Sequence, residues 1–173
     1  MSLKNLITVP DDLLRKKSEY IEKINLNEKK LIRDLFETMY QHNGIGLAAV
    51  QIGILKRIIV LDVSKKGEGK KPMCFINPVI KDSSNKTSIY EEGCLSIPNT
   101  FIEIERPETC VVEYIDNEGK KKIIECKGLL ATCIQHEINH LDGKLIIDFL
   151  SKLKKDLIIK KLSKQKSLDR VVV

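Results

Sequence analysis

The stretch CIQHEINHLDG, residues 133–143, limits what the chain can fold into more than any other segment. Around it Leu129, Leu130, Cys133, Ile134, Ile138 and Leu141 recur at helical spacing, which predicts an amphipathic helix anchored in a core. His136 and His140 then lie one turn apart on a single face, a spacing at which two imidazoles can share a metal ion. They are two of the chain's three histidines. The plain alternative is a pair of solvated histidines on a surface helix.

Two histidines need at least one further ligand. A longer zinc-protease pattern, H-E-x-x-H-x-x-G-x-x-H, is matched through Gly143 but has Ile146 in its last position, and no glutamate follows Glu137. Asp142, Asp148 and Asp156 remain as candidates downstream. Upstream, in YEEGCLSIP, Cys94 stands beside Gly93 in a non-periodic segment where the backbone can turn toward another element. A thiolate binds zinc or ferrous iron strongly, so Cys94 is the better third ligand; its other reading is an inert buried thiol. Three protein ligands leave a fourth position for water, as a catalytic site requires. Glu137, beside His136, is then placed to act as general base.

The rest of the chain gives this helix its setting. At 173 residues it can form one domain with a substantial core. Five cysteines at irregular spacings argue against a disulfide framework, and the absence of a long apolar run predicts a soluble, cytoplasmic protein with no membrane partner. NLNEKKLIRDLFETMYQHNG predicts a helix with Asn25 and Glu28 as a capping box, an inward stripe through Leu31, Leu35, Phe36 and Met39, and Gly44 at its end. His42 would face solvent at its C-terminus. KRIIVLDV and MCFINPVI read as buried strands, and TCVVEYID with KKKIIEC as a hairpin around NEG. Strands between helices at the two ends predict an α+β fold, with mixed or antiparallel sheets packed around the H-E-x-x-H helix.

Residues 1–150 are expected to form a single catalytic domain, and 151–173 a basic C-terminal helix and tail belonging to it. Leu150, Leu153, Leu157 and Ile158 would make the helix's inward face. Beyond residue 150 lie eight of the 30 basic residues but only two of the 24 acidic ones. That excess suits RNA phosphate, or is simply a solvated face.

GIGLAA, residues 44–49, satisfies G-x-G-x-x-A with Asp62 downstream, yet dinucleotide binding needs a strand before it and a crossover helix after it. A helix precedes it, and too few residues follow. GIGLAAVQIG reads instead as a turn whose glycines, Gly44 and Gly46, allow backbone to approach a ligand, with Ile45 and Leu47 in apolar contact. Gln51 could then donate its amide to an oxyanion, unless it points to solvent.

GIGLAAVQ at 44–51, EGCLS at 92–96 and QHEINH at 135–140, in this order, resemble the three signature motifs of bacterial peptide deformylases, and the resemblance runs along nearly the whole chain. It implies hydrolysis of the formyl group from the N-formyl-methionyl ends of new polypeptides. It also implies a metal held by Cys94, His136 and His140, ferrous iron first, although such ligands accept zinc, nickel or cobalt. Glu137 would be the acid/base that takes the water's proton and returns it to the amine. Gln51 and the backbone N–H of Leu95 would be oxyanion donors.

Gly44, Ile45, Gly46, Gly93 and Cys133 would contact substrate, with Ile45, Leu95 and Cys133 as candidates for the methionine slot. In the family the C-terminal helix can dock on the ribosome; no DNA partner is implied. His42 and Asn43, Phe101 and Thr132 depart from the residues that relatives often carry at those positions, Phe101 where many have arginine. The competing readings are another H-E-x-x-H metallohydrolase or peptidase, and a basic protein that binds ribosomal RNA without catalysis.

Overall fold

The computed structural model describes residues 3–65 and 67–169, with side chains as far as 165. Its centre is a five-stranded antiparallel sheet of β1 (Gly46–Ala48), β2 (Ile58–Leu61), β3 (Met73–Ser83), β6 (Thr109–Ile115) and β7 (Lys121–Lys127), in the order β1-β2-β3-β6-β7. Strand β2 reads IIVL and is buried throughout. Such a run, apolar at every position, suits a strand covered on both faces. Ile58 and Val60 pack toward α1 (Leu26–Gln41), whereas Ile59 and Leu61 pack toward α2 (Gly128–Leu141). The two helices therefore clamp the sheet, and α2 carries His136, Glu137 and His140.

Helix α1 begins as expected: the Asn25 side chain accepts from the Asn27 amide at 2.7 Å, and the Glu28 carboxylate from the Asn25 amide at 3.1 Å. Its end differs. His42 is the C-cap and Asn43 takes the left-handed conformation, φ 54°, so asparagine closes the helix one residue before Gly44. GIGLAAVQIG is more ordered than a turn, forming β1 and the 3-10 turn Ala49–Ile52.

The second sheet, a hairpin of β4 (Thr87–Cys94) and β5 (Ile97–Pro107), was not expected from the sequence. The only fully buried residue of β4 is Glu92, so an apolar alternation is missing there. In β5 the alternation is legible afterwards, with Ile102, Ile104 and Arg106 inward and Glu103 and Glu105 outward.

Helix α3 (Lys152–Asp169) packs through Leu162, Ile158 and Ile159 onto a third cluster that includes Val9, Ile97 and Ile147. Leu153 and Leu157, expected inward, are exposed, because the face that meets the body runs through Ile158, Ile159 and Leu162 instead. Residues 170–173 of the expected tail lie outside the described residues. None of the described helices is long and apolar enough to cross a membrane.

Past the end of α2 the chain must turn against the N-terminal segment. Gly143 has φ +73°, and a Cβ there would meet the carbonyl oxygen of Arg15 and lie 2.7 Å from its carbonyl carbon. Gly143→Ala should therefore suffer both a disfavoured conformation and a collision with backbone, costing about 3 kcal/mol and about 9 °C of melting temperature. Gly119→Ala, at φ +84° with its nearest neighbour 4.0 Å away, isolates the conformational part, about 1 kcal/mol. Thermal unfolding of the two variants checks this; equal losses would show that Arg15 yields without cost.

Candidate active site

Strand β4 ends at Cys94, and α2 lies across that end. The Cys94 thiol and one nitrogen of each of His136 and His140 fall within 4.8 Å of one another, with Cys94 Sγ 3.1 Å from His140 Nε2. Tetrahedral ligands on a zinc-sized ion stand about 3.5 Å apart, so the set fits a single cation. Asp142 and Asp148, the downstream alternatives, are instead paired with Arg57 and with Arg15 and Lys155. Asp156 is exposed. Ile146 is buried in the core.

Behind the ligands lies a network that sequence reasoning missed. His136 Nδ1 is 2.9 Å from Glu92 Oε2, which leaves Nε2 for a metal. Arg106 donates to the same carboxylate from Nε at 2.5 Å and Nη2 at 3.0 Å, and from Nη1 to Asn139 Oδ1 at 2.8 Å. Its guanidinium lies over the Phe149 ring. Glu92 and Arg106 are both buried. Two signals could have found them: Glu92 is two residues before Cys94, hence on the same strand face, and Arg106 continues the inward phase of Ile102 and Ile104.

Burial and neighbours divide the titrating groups. For Glu92, burial works to raise the pKa, but His136 and Arg106 together hold it below the usual carboxylate range. For His136, burial opposes a charge, yet Cys94 and Glu92 push the ring up to about 10. Surroundings that favour a proton there also favour a metal cation. His140 is driven down by burial, then by the charges of His136 and Arg106. Burial raises the Glu137 carboxyl to about 7, a value suited to exchanging protons near neutral pH. Glu137 Oε2 is buried without a hydrogen-bond partner, as expected of a group that serves a bound species.

Gln51 points inward. Its Oε1 accepts from the Ala48 amide at 2.8 Å, and its Nε2 donates to buried Ser96 Oγ at 3.1 Å while lying 3.6 Å from Cys94 Sγ. Gly46 is needed for a reason the sequence did not suggest: a Cβ there would collide with Glu137 Oε1. The close approach inferred for this glycine is thus to the buried carboxylate.

These groups face a cavity of about 570 Å³, also lined by Gly44, Ile45, Gly93, Leu95 and Cys133. His42, Asn43, Phe101 and Thr132 line it as well. Two expectations are corrected. Leu47, adjacent to Gly46 on β1, points the opposite way into the core beside α1. Leu129, expected in the core, is 44% exposed and lines the cavity, while Leu130 and Ala131 of the same turn pack on the core.

The arrangement can hold one divalent ion, activate water and protonate a leaving group. The model of the family described as Polypeptide deformylase matches residues 3–156. A peptide deformylase of Pelagibacter ubique is 56% identical over 173 residues, covering all of both chains, and one of Rhizobium meliloti is 54% identical over 164 residues, covering 95% of this chain and 94% of its own. Among solved structures, peptide deformylase from Ehrlichia chaffeensis superposes with a TM-score of 0.92 at 42% identity, covering 97% of this chain and 99% of that one. The same protein in complex with actinonin gives 0.91 at 45% identity, covering 95% and 98%. On these grounds the chain belongs to the polypeptide deformylase family.

Proposed function

We propose that the chain is a metal-dependent peptide deformylase, which hydrolyses the formyl group from N-formyl-methionyl ends of new polypeptides and releases formate. One observation carries the reading of the site: Cys94, His136 and His140 converge beside a buried, unpartnered Glu137 carboxyl. We take these three as the ligands and ferrous iron as the ion, on the strength of the thiolate and imidazole donors and of family resemblance; the same donors accept zinc, nickel or cobalt. When bound, the ion supplies Lewis acidity that activates water and polarises the formyl carbonyl.

The chain's own groups do the remainder. Glu137 takes a proton from the attacking water and delivers it to the departing amine, both transfers suited by its raised pKa. Gln51 Nε2, oriented by Ala48 and Ser96, donates to the oxygen that becomes negative, together with the Leu95 amide. Gly46 lets the carboxylate lie close against β1, and an acyl group larger than formyl would be excluded by steric clash. Gly44 and Gly93 flank the peptide, and Ile45, Leu95 and Cys133 form the slot for methionine.

Two further assignments belong to this reading. Residues 1–150 and the helix that follows make one domain, supported by the burial of Leu162 among Val9, Ile97 and Ile147. The enzyme works in the cytoplasm, where nascent chains are made, and the exposed lysines of α3 suit ribosomal RNA.

Formate release from a formyl-methionyl peptide, but not from its N-acetyl analogue, is the expected result for protein purified without oxygen. Glu137→Gln should lower kcat about a thousandfold while keeping the metal. Cleavage of an internal peptide bond without formate would overturn the reading in favour of another metallopeptidase. Glu92→Gln should weaken metal binding about tenfold to a hundredfold in a chelator competition, since the carboxylate orients His136; unchanged affinity would reduce Glu92 to a structural role. Reversing the charges of Lys160, Lys161 and Lys164 should lower co-sedimentation with ribosomes in low salt severalfold, and no change would remove the docking assignment.

A further inference from the structure

One side chain at the mouth of the cavity has no part in the chemistry above. Phe101 is 68% exposed. It is not loose. On β5 it stands opposite Gly93 of β4, and a Cβ on Gly93 would lie 2.8 Å from its Cε1, so the ring rests against the glycine's backbone next to Cys94. Any larger residue at 93 would push it away.

Charge at the mouth is equally selective. The chain has 30 lysines and arginines, yet none is among the residues that line the cavity. Its carboxylates are Glu92, which Arg106 neutralises, and Glu137.

From these observations we propose that Phe101 selects the residue that follows the formylated methionine, favouring aromatic and large aliphatic side chains over charged ones. The inference rests on the deformylase reading. With the acyl group at Cys94 and the methionine side chain in the slot at Cys133, an extended peptide advances about 3.3 Å per residue and turns its next side chain to the opposite side. That side chain leaves the slot and meets the mouth, where Phe101 offers a fixed ring face. Aromatic and long aliphatic groups gain contact there. A carboxylate finds no lysine or arginine in the lining to pair with, and an ammonium group gives up water to approach a largely apolar surface.

The test is kcat/KM for formate release from formyl-Met-Xaa-Ser peptides with Xaa as Phe, Leu, Ala, Lys or Glu. The native enzyme should prefer Phe to Ala about fivefold, and Phe101→Ala should shrink that ratio to within about twofold. Phe101→Arg should raise Glu over Lys at least about fivefold, a gain of selectivity that loss of folding cannot imitate. A native enzyme indifferent to Xaa, or a Phe101→Ala variant with the ratio intact, would overturn the proposal. Failure of the deformylase reading looks different: no formate from any formyl peptide whatever Xaa is, which overturns both.

Discussion

The Glu92 carboxylate joins the two parts of the molecule that must meet for the site to exist. It sits on the hairpin that delivers Cys94, it is bonded by Arg106 from the facing strand, and it reaches His136 on α2. Together with the bond from Arg106 to Asn139, it holds the thiol-bearing hairpin in register with the imidazole-bearing helix. A buried carboxylate is costly to desolvate, and the cost is offset only when geometry is close and the remaining lone pairs are used. Here the guanidinium binds in a fork and the imidazole N–H takes the second oxygen, so both conditions are met. Removing either partner would leave a buried charge uncompensated, at a cost of about 3–5 kcal/mol.

The surrounding packing makes that polar junction affordable in geometry. Strand β2 is buried on both faces, between α1 and α2, so the helix carrying the histidines cannot shift along the sheet without opening the apolar cluster it shares with Ile59 and Leu61. Gly46 and Gly143 are the points where backbone approaches most closely: Gly46 against the Glu137 carboxylate, Gly143 against Arg15. Both are places where one extra carbon would displace a group that the site or the helix end needs. Positioning of this kind lowers the reorganisation required at the moment of reaction.

Function follows from how differently two carboxylates in one pocket are treated. Glu92 is buried yet held ionised by His136 and Arg106; Glu137 is buried and left without a hydrogen bond on Oε2, so its pKa rises to about 7. On the proposed reading, one orients a metal ligand and the other moves a proton. Near the surface the same cavity changes character, from fixed polar donors such as Gln51 to the apolar face of Phe101. Chemistry is set in the depth, peptide choice at the mouth.

Much of this was legible in the residues themselves wherever the relevant physics is local. The turn of a helix places His136 and His140 together, the capping box starts α1 at Asn25, and a run such as IIVL asks for cover on both faces. Three separated motifs identified the family and, with it, Cys94 and Gln51. What depends on distant partners was not legible. The β4–β5 hairpin hides its inward phase behind a glutamate and an arginine, which read as solvent residues until they are paired with each other. Leu129, Leu153 and Leu157 follow an apolar period but stay exposed, because a periodic stripe shows where a helix can pack and not how far the neighbouring element extends. Gly46 looked like a turn or a ligand contact until Glu137 was found against it. The sequence by itself determined the local elements, the candidate metal-ligating residues and the family, since backbone geometry and motif spacing act over a few residues; only the tertiary structure decided that Glu92 and Arg106 connect them, because that junction joins segments whose closeness no short-range pattern encodes.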